Sequence, residues 1–320
     1  MQNRLVVFAT LAAISLYFCY YEGFLTKSEH SWKREAALGL PHKIWQTWKT
    51  PLHGLNEELM KLSKSWIDMN PDYRYELLTD DASVIYVQER FDHRQDIVEV
   101  FERTTDRVLR ADLTRYLTLL GDGGVYTDID TDCSKPIQEW IPDELHGHVG
   151  LVLGVEYDSQ GGEIRKDFNL PVQLCQWTIM AAPGHQVLQN VVETVISKLS
   201  VDQMNLESIP SHDLQYVLET TGPRVSSSRL RAYFRILIFD GQMFTVAVLE
   251  SLTSQLGRPV TYDEISNLTA PKLLGDTLIL PISAFGSGQD HSGSKPWGND
   301  EQLMSHHYFG FKGWKLEHNR

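Results

Sequence analysis

A chain of 320 residues is long enough to bury a sizeable core, as one large domain or two ordinary ones. Its 29 basic against 42 acidic side chains leave a net charge of −13, which repels phosphate backbones and excludes nucleic acid as an expected partner. With 42% apolar residues the bulk should fold, and three widely spaced cysteines match neither a zinc ribbon nor a dense disulfide framework. One bridge, Cys133 to Cys175, is the most the globular part can form, and only in an oxidising compartment.

The first 21 residues read as a membrane element. Leu5 to Tyr21 carry no charge, and as a helix they span roughly 25 Å. Arg4 ahead of the run favours a cytoplasmic N-terminus, and the bulky exit Phe18-Cys19-Tyr20-Tyr21 suits an uncleaved signal anchor better than a cleaved leader. The expected organisation is a short cytoplasmic tail (1–4), a transmembrane anchor (5–21), a charged stem (22–40) and one lumenal body (41–320). Asn267-Leu268-Thr269 is a formal glycosylation acceptor that such a location would make usable.

Beyond Pro41, His42 to Trp48 suggests a buried strand, followed by a helical pattern through Leu59, Leu62 and Trp66. Asn70-Pro71-Asp72 marks a turn, Tyr73 to Leu78 a second strand, and Thr79 a cap for the next helix. A helix from about Val108 to Leu120 should end at Gly121 and the Gly123-Gly124 pair, where a left-handed cap favours glycine. A short strand, Gly124 to Thr127, then leads into acidic residues. Strands are expected at His148–Val155 and Thr277–Leu280, and helices at Pro183–Leu199 and Met243–Leu256. This alternation predicts an α/β sheet covered by helices, in one domain.

Asp128-Ile129-Asp130 directly follows a strand, so its carboxylates share one side at period two and can hold a hard divalent cation. The end of a strand in an open α/β sheet is also where ligands gather. On the preceding helix Asp112 and Arg115 lie three apart on one face, among apolar Tyr116, Leu119 and Leu120. They are either a surface ion pair or a polar pair directed at a ligand.

Arg110-Ala111-Asp112-Leu113-Thr114-Arg115-Tyr116, followed by Gly123-Gly124-Val125-Tyr126-Thr127-Asp128-Ile129-Asp130, resembles the core signature of glycosyltransferase family 32. Lys43 to Lys49, Cys175-Gln176-Trp177-Thr178-Ile179 and Pro183-Gly184-His185 resemble in particular its fungal α-1,6-mannosyltransferases that initiate the outer chain of N-glycans. The resemblance implies a GT-A-like, Rossmann-type mixed sheet flanked by helices, retention of configuration, GDP-mannose as donor and Mn²⁺ on the acidic motif. It further implies a type II Golgi membrane protein with an N-glycan acceptor, within a mannosyltransferase complex.

Carried over residue by residue, the resemblance makes Asp130 the metal ligand and Asp128 a ligand that also meets ribose or sugar. Asp112 and Arg115 would hold donor sugar hydroxyls. Ile44, Trp45, Arg110, Tyr116 and Gly124 would line the donor, with Lys312 and Trp314 near the diphosphate; Trp45 is equally readable as an ordinary core aromatic. His307 is the expected imidazole of the metal shell, with His306 the alternative, because the spacing around Gly313-Trp314-Lys315 departs from the family's. Thr221-Gly222-Pro223 matches a family turn. Three rivals remain: a mannosyltransferase acting on inositol-phosphoceramide, a phosphatase using Asp128 as nucleophile, and a non-catalytic tethered sugar-binding protein.

Overall fold

A computed structural model describes residues 39–208 and 241–309. The proposed tail, the anchor at 5–21, nearly all of the stem, the turn at Thr221-Gly222-Pro223, and Lys312 and Trp314 lie outside the described residues. Among the described residues no helix is long and apolar enough to cross a membrane.

In chain order the elements are β1 (Lys43–Thr47), α1 (Glu57–Met69), β2 (Arg74–Leu78), α2 (Asp80–Arg90), α3 (Gln95–Arg103), α4 (Arg107–Gly121), β3 (Gly124–Thr127) and β4 (Thr131–Cys133). There follow β5 (Leu151–Asp158), β6 (Val172–Leu174), β7 (Thr178–Ala181), α5 (Gln186–Ser208), α6 (Gly241–Leu256), β8 (Lys272–Leu274), β9 (Thr277–Leu280), α7 (Ile282–Phe285) and β10 (Met304–His306). The main sheet has the order β2-β1-β3-β7-β5-β9-β8, with β6 added beside β5. Strands β1, β2, β3, β5 and β9 run one way, and β7 and β8 run against them. The result is the expected α/β architecture, a mixed sheet flanked by helices.

Strand alternation sorts the side chains between two cores. Trp45, Tyr126, Ile179 and Leu153 point to the layer containing α2 to α6, while Ile44, Val125, Met180 and Val152 point to a second layer with Trp66, Trp140 and Phe285. The caps follow local chemistry. Thr79 accepts from the Ala82 N–H (3.2 Å), and Asp106 accepts from the N–H groups of Val108 and Leu109 (2.8 and 3.1 Å), holding α2 and α4 at their N-termini.

At the C-terminus of α4 the chain reverses through Gly123 (φ 69°) and Gly124 (φ 102°), as the glycine pair predicts. A Cβ on Gly124 would lie 2.5 Å from the Lys43 carbonyl oxygen, so glycine here lets β3 dock on β1. Its role is close backbone packing, which replaces the expected donor contact.

The strand expected at His148 starts at Leu151 and runs on to Asp158. Helix α3 and the short strands β4, β6, β7, β8 and β10 had no expectation behind them. Both described cysteines are buried free thiols, so the Cys133–Cys175 bridge is absent. Burial pushes the Cys133 thiol up to about 12 and raises Cys175 well above its ordinary value.

Candidate active site

Where β3 ends, the backbone is gripped from three sides. The Asp128 N–H donates to the Trp177 carbonyl (2.8 Å), and the Asp128 carbonyl accepts from Gln46 Nε2 (2.9 Å) and Thr131 Oγ1 (2.6 Å). Gln46 is fully buried, and its own Oε1 accepts from Ser63 Oγ (2.9 Å) and Tyr75 OH (2.6 Å). Thr127, Thr131 and Thr178 join hydroxyls at 2.7 and 2.8 Å beneath the turn. A satisfied buried network of this kind fixes one geometry, because any lost partner strands a desolvated polar group.

From that rigid turn the two carboxylates diverge. Asp128 Oδ1 and Asp112 Oδ1 each lie 3.0 Å from Arg115 Nη2. Arg115 is 6% exposed, lies over the Tyr126 ring and donates through Nη1 to Gln176 Oε1 (3.3 Å), which also accepts from Tyr116 OH (2.7 Å). Burial works against the Arg115 charge, but Asp128 and Asp112 hold the guanidinium well above its ordinary value. Of the two readings of the Asp112/Arg115 pair, this burial removes the surface ion pair.

Asp130 turns the other way. Its Oδ2 accepts from the Phe309 N–H (2.8 Å), and Oδ1 lies 3.2 Å from His306 Nε2. Burial works to raise its carboxyl, yet the His306 imidazole and the Phe309 N–H outweigh it and keep Asp130 below the ordinary carboxylate value. His306 is carried in by β10, which pairs antiparallel with β4 so that His306 stands opposite Thr131. Trp177 and Tyr308 flank the imidazole at ring separations of 4.8 and 4.0 Å.

One donor atom each from Asp128, Asp130 and His306 lie within 4.8 Å of one another. Two carboxylates and an imidazole are a donor set that suits Mn²⁺ and other divalent cations. His306 Nδ1 and Arg115 Nε are buried without a hydrogen-bond partner.

The imidazole in that set corrects the expectation of His307. His307 falls one residue past the paired strand, its N–H donates to the Asp130 carbonyl, and its Nε2 engages Asp132 Oδ1 at 2.6 Å. Ile44 and Trp45 are also not donor contacts. Both are buried on opposite faces of β1, and the Trp45 indole N–H is used by the Gly123 carbonyl (2.9 Å). Arg110 donates to the Thr104 carbonyl (3.1 and 2.8 Å) and braces the loop before α4. Tyr116 stacks on Phe244 and reaches the cluster only through Gln176.

The sequence reading gave no role to Gln46 or Gln176. Gln46 is an amide in a stretch that otherwise reads as buried strand, and that polarity amid apolar neighbours was the available signal.

Residues 56–146 match the family described as a glycosyltransferase sugar-binding region containing a DXD motif. The stretch that holds α4, β3 and the acidic turn is thus similar to this family. Across its length it is 34% identical over 279 residues to the initiation-specific alpha-1,6-mannosyltransferase of Schizosaccharomyces pombe, covering 86% of this chain and 64% of that protein. It is 32% identical over 250 residues to the putative glycosyltransferase HOC1 of Saccharomyces cerevisiae, covering 77% and 58%. A shorter similarity, 29% over 126 residues, is to inositol phosphoceramide mannosyltransferase 3 of S. pombe, covering 38% and 34%. The chain spans less than two thirds of the length of the first two of these relatives.

Proposed function

We propose that this chain is a metal-dependent, retaining α-1,6-mannosyltransferase of GT-A type, moving mannose from GDP-mannose to an N-glycan core to initiate the outer chain. The observation that carries the reading is the convergence of Asp128, Asp130 and His306 beside the buried Asp112–Arg115 pair. The reach of the similarity favours the N-glycan acceptor, since the S. pombe initiation-specific enzyme aligns with 86% of the chain and the inositol-phosphoceramide enzyme with 38%. Residence in the Golgi membrane as a type II protein, within a mannosyltransferase complex, completes the proposal and rests on the Leu5–Tyr21 run and the family resemblance.

Asp128, Asp130 and His306 would hold Mn²⁺, which when bound supplies positive charge to the diphosphate as it departs. The chain's own groups do the rest. Arg115 fixes Asp112 and Asp128 so that their remaining lone pairs can accept donor hydroxyls. The Phe309 N–H keeps Asp130 ionised and aimed. No carboxylate is assigned as nucleophile. The acceptor oxygen bonds to the sugar C1 on the face from which the phosphate oxygen leaves, and that oxygen takes the hydroxyl proton.

The test is incubation of the lumenal part, residues 30–320, with Mn²⁺ and a Man8-type N-glycan, offering GDP-mannose and UDP-sugars in parallel. One hexose added in α-1,6 linkage, from GDP-mannose alone and lost with EDTA, is the expected product. Transfer to inositol-phosphoceramide instead would move the acceptor to lipid. Glycan binding without turnover would leave a sugar-binding protein, and phosphate release from simple monoesters would favour the phosphatase.

A further inference from the structure

A second polar cavity, of about 340 Å³, opens on the same sheet edge as the acidic turn, at the C-terminal ends of β5 and β9. That volume falls within the ~300–1,000 Å³ range of small-ligand sites. Its frame is built around Asp158, 6% exposed. Asp158 Oδ1 accepts from the Gln160 N–H and Ser266 Oγ (both 2.8 Å), Oδ2 accepts from the Asn267 N–H (2.5 Å), and the Asp158 N–H donates to Ser292 Oγ (2.9 Å). One residue, through its carboxylate and its backbone N–H, therefore ties three loops into a preorganised rim.

The electrostatics select the kind of ligand. Asp158 is consumed by its donors, and the remaining charges, Lys295 and Glu301, pair with each other at 2.5 Å. A pocket so balanced does not discriminate for an anion or a cation. It offers donors and acceptors over an apolar floor of Leu268 and Ile282, which matches a neutral polyol with one apolar face.

Two residues beyond Lys295 stands Trp297, 55% exposed but not loose. Its indole N–H donates to the Ser287 carbonyl (2.6 Å), and the ring lies so close on Gly288 that a Cβ there would be 2.1 Å from Nε1. On its other side it meets the His307 ring at 5.5 Å, and so faces the strand that delivers His306 to the metal set. A fixed, exposed indole is a stacking surface for the apolar face of a sugar. Measured across the sheet, β5 and β9 lie two and three strand spacings from β3, about 10–14 Å. A single hexose does not bridge that distance.

From this arrangement we infer that the cavity and Trp297 form a remote acceptor subsite, holding sugars of an oligosaccharide distal to the one being modified at the acidic turn. The inference rests on the glycosyltransferase reading above and adds to it a site that selects for acceptor length.

The full chain is tested with a Man8-type oligosaccharide and methyl α-mannoside as paired acceptors. Lys295→Ala/Glu301→Ala removes contacts of the cavity wall, Trp297→Ala removes the exposed indole, and Leu268→Trp fills the floor while keeping the Asn267-Leu268-Thr269 acceptor pattern as Asn-x-Thr. The expected result is a split: KM rises about tenfold for the oligosaccharide and less than twofold for methyl α-mannoside. Equal changes for both acceptors, or none for either, overturn the subsite.

Calorimetric titration with the oligosaccharide alone separates this inference from the activity. If the wild type transfers to no mannoside, the catalytic reading fails, and the titration still decides the subsite. Oligosaccharide binding that Leu268→Trp weakens about tenfold supports it, and no wild-type binding, or binding untouched by Leu268→Trp, refutes it.

Discussion

Strands β3 and β5 run in the same direction and each leads to an aspartate at its C-terminal end, yet the two carboxylates have opposite fates. Asp158 is 6% exposed and spends its oxygens on two backbone N–H groups and a serine hydroxyl. Asp128, with 26% of its side chain exposed, meets one buried guanidinium, and it is its backbone that the protein grips. A carboxylate satisfied by fixed neutral donors becomes architecture. Asp128, whose backbone is immobilised while part of its side chain stays exposed, keeps a carboxylate open to a ligand. The distinction lies in which atoms the surroundings satisfy, and residue type alone does not carry it.

The comparison is broken most severely at the acidic turn. Asp130→Asn should lower kcat by about 10³-fold or more, the scale of losing a principal electrostatic stabiliser, while thermal unfolding shifts little. Turnover near the wild-type rate in a folded variant would remove Asp130 from the site. At the hinge before the turn, Gly124→Ala combines a φ of 102° with a Cβ 2.5 Å from the Lys43 carbonyl, and should cost about 2–4 kcal/mol in urea unfolding. A neutral outcome there would mean that β1 and β3 tolerate separation.

Asp158→Asn is the matched contrast to Asp130→Asn. It replaces one acceptor oxygen with a donor facing other donors, and should cost about 1–3 kcal/mol of stability while kcat toward a short acceptor changes far less than for Asp130→Asn. Equal losses of kcat would erase the contrast between Asp158 and the acidic turn.

A smaller effect is expected from pH at the start of α5, where His185 lies 3.2 Å from Asp276. Burial works to raise the Asp276 carboxyl, but the His185 imidazole draws it below the ordinary carboxylate value. Its contribution is therefore present above the unfolded carboxylate value and fades as pH falls through the lowered folded one. With Asp276 over a third exposed, solvent screening limits this to under about 1 kcal/mol. Asp276→Asn should flatten the stability profile of the full chain below about pH 4, and an unaltered profile would dismiss the pair. Smallest of all, reducing agent should leave the melting temperature unchanged, since Cys133 and Cys175 are unbridged.

Much of this was legible in the chain. The buried strand expected at His42–Trp48, the Thr79 and glycine punctuation around α2 and α4, and the Asp112, Arg115, Asp128, Asp130 series are local or closely spaced signals, and the structure places them in β1, at the ends of α2 and α4, and, for Asp112 and Asp128, around one arginine. Short strands such as β4, β6 and β10 carry too few residues to show a period. Trp45 illustrates the limit at single residues. Its sequence context fits donor stacking or core equally, and only the Gly123 carbonyl at its indole nitrogen decides between them.

The sequence by itself determined the α/β class, the glycine hinge and the acidic pair at a strand end, because neighbouring residues impose their geometry through backbone sterics and alternation. Only the tertiary structure decided that the imidazole of His306 and not that of His307 meets the Asp130 carboxylate, that Gln46 and Gln176 brace the acidic turn, and that Asp158 is a structural tie. Those choices depend on β10 arriving beside β4 from more than 170 positions away and on side chains packed across three strands. Contacts so remote along the chain leave no periodic trace, since they are set by how the layers close rather than by what stands next in line.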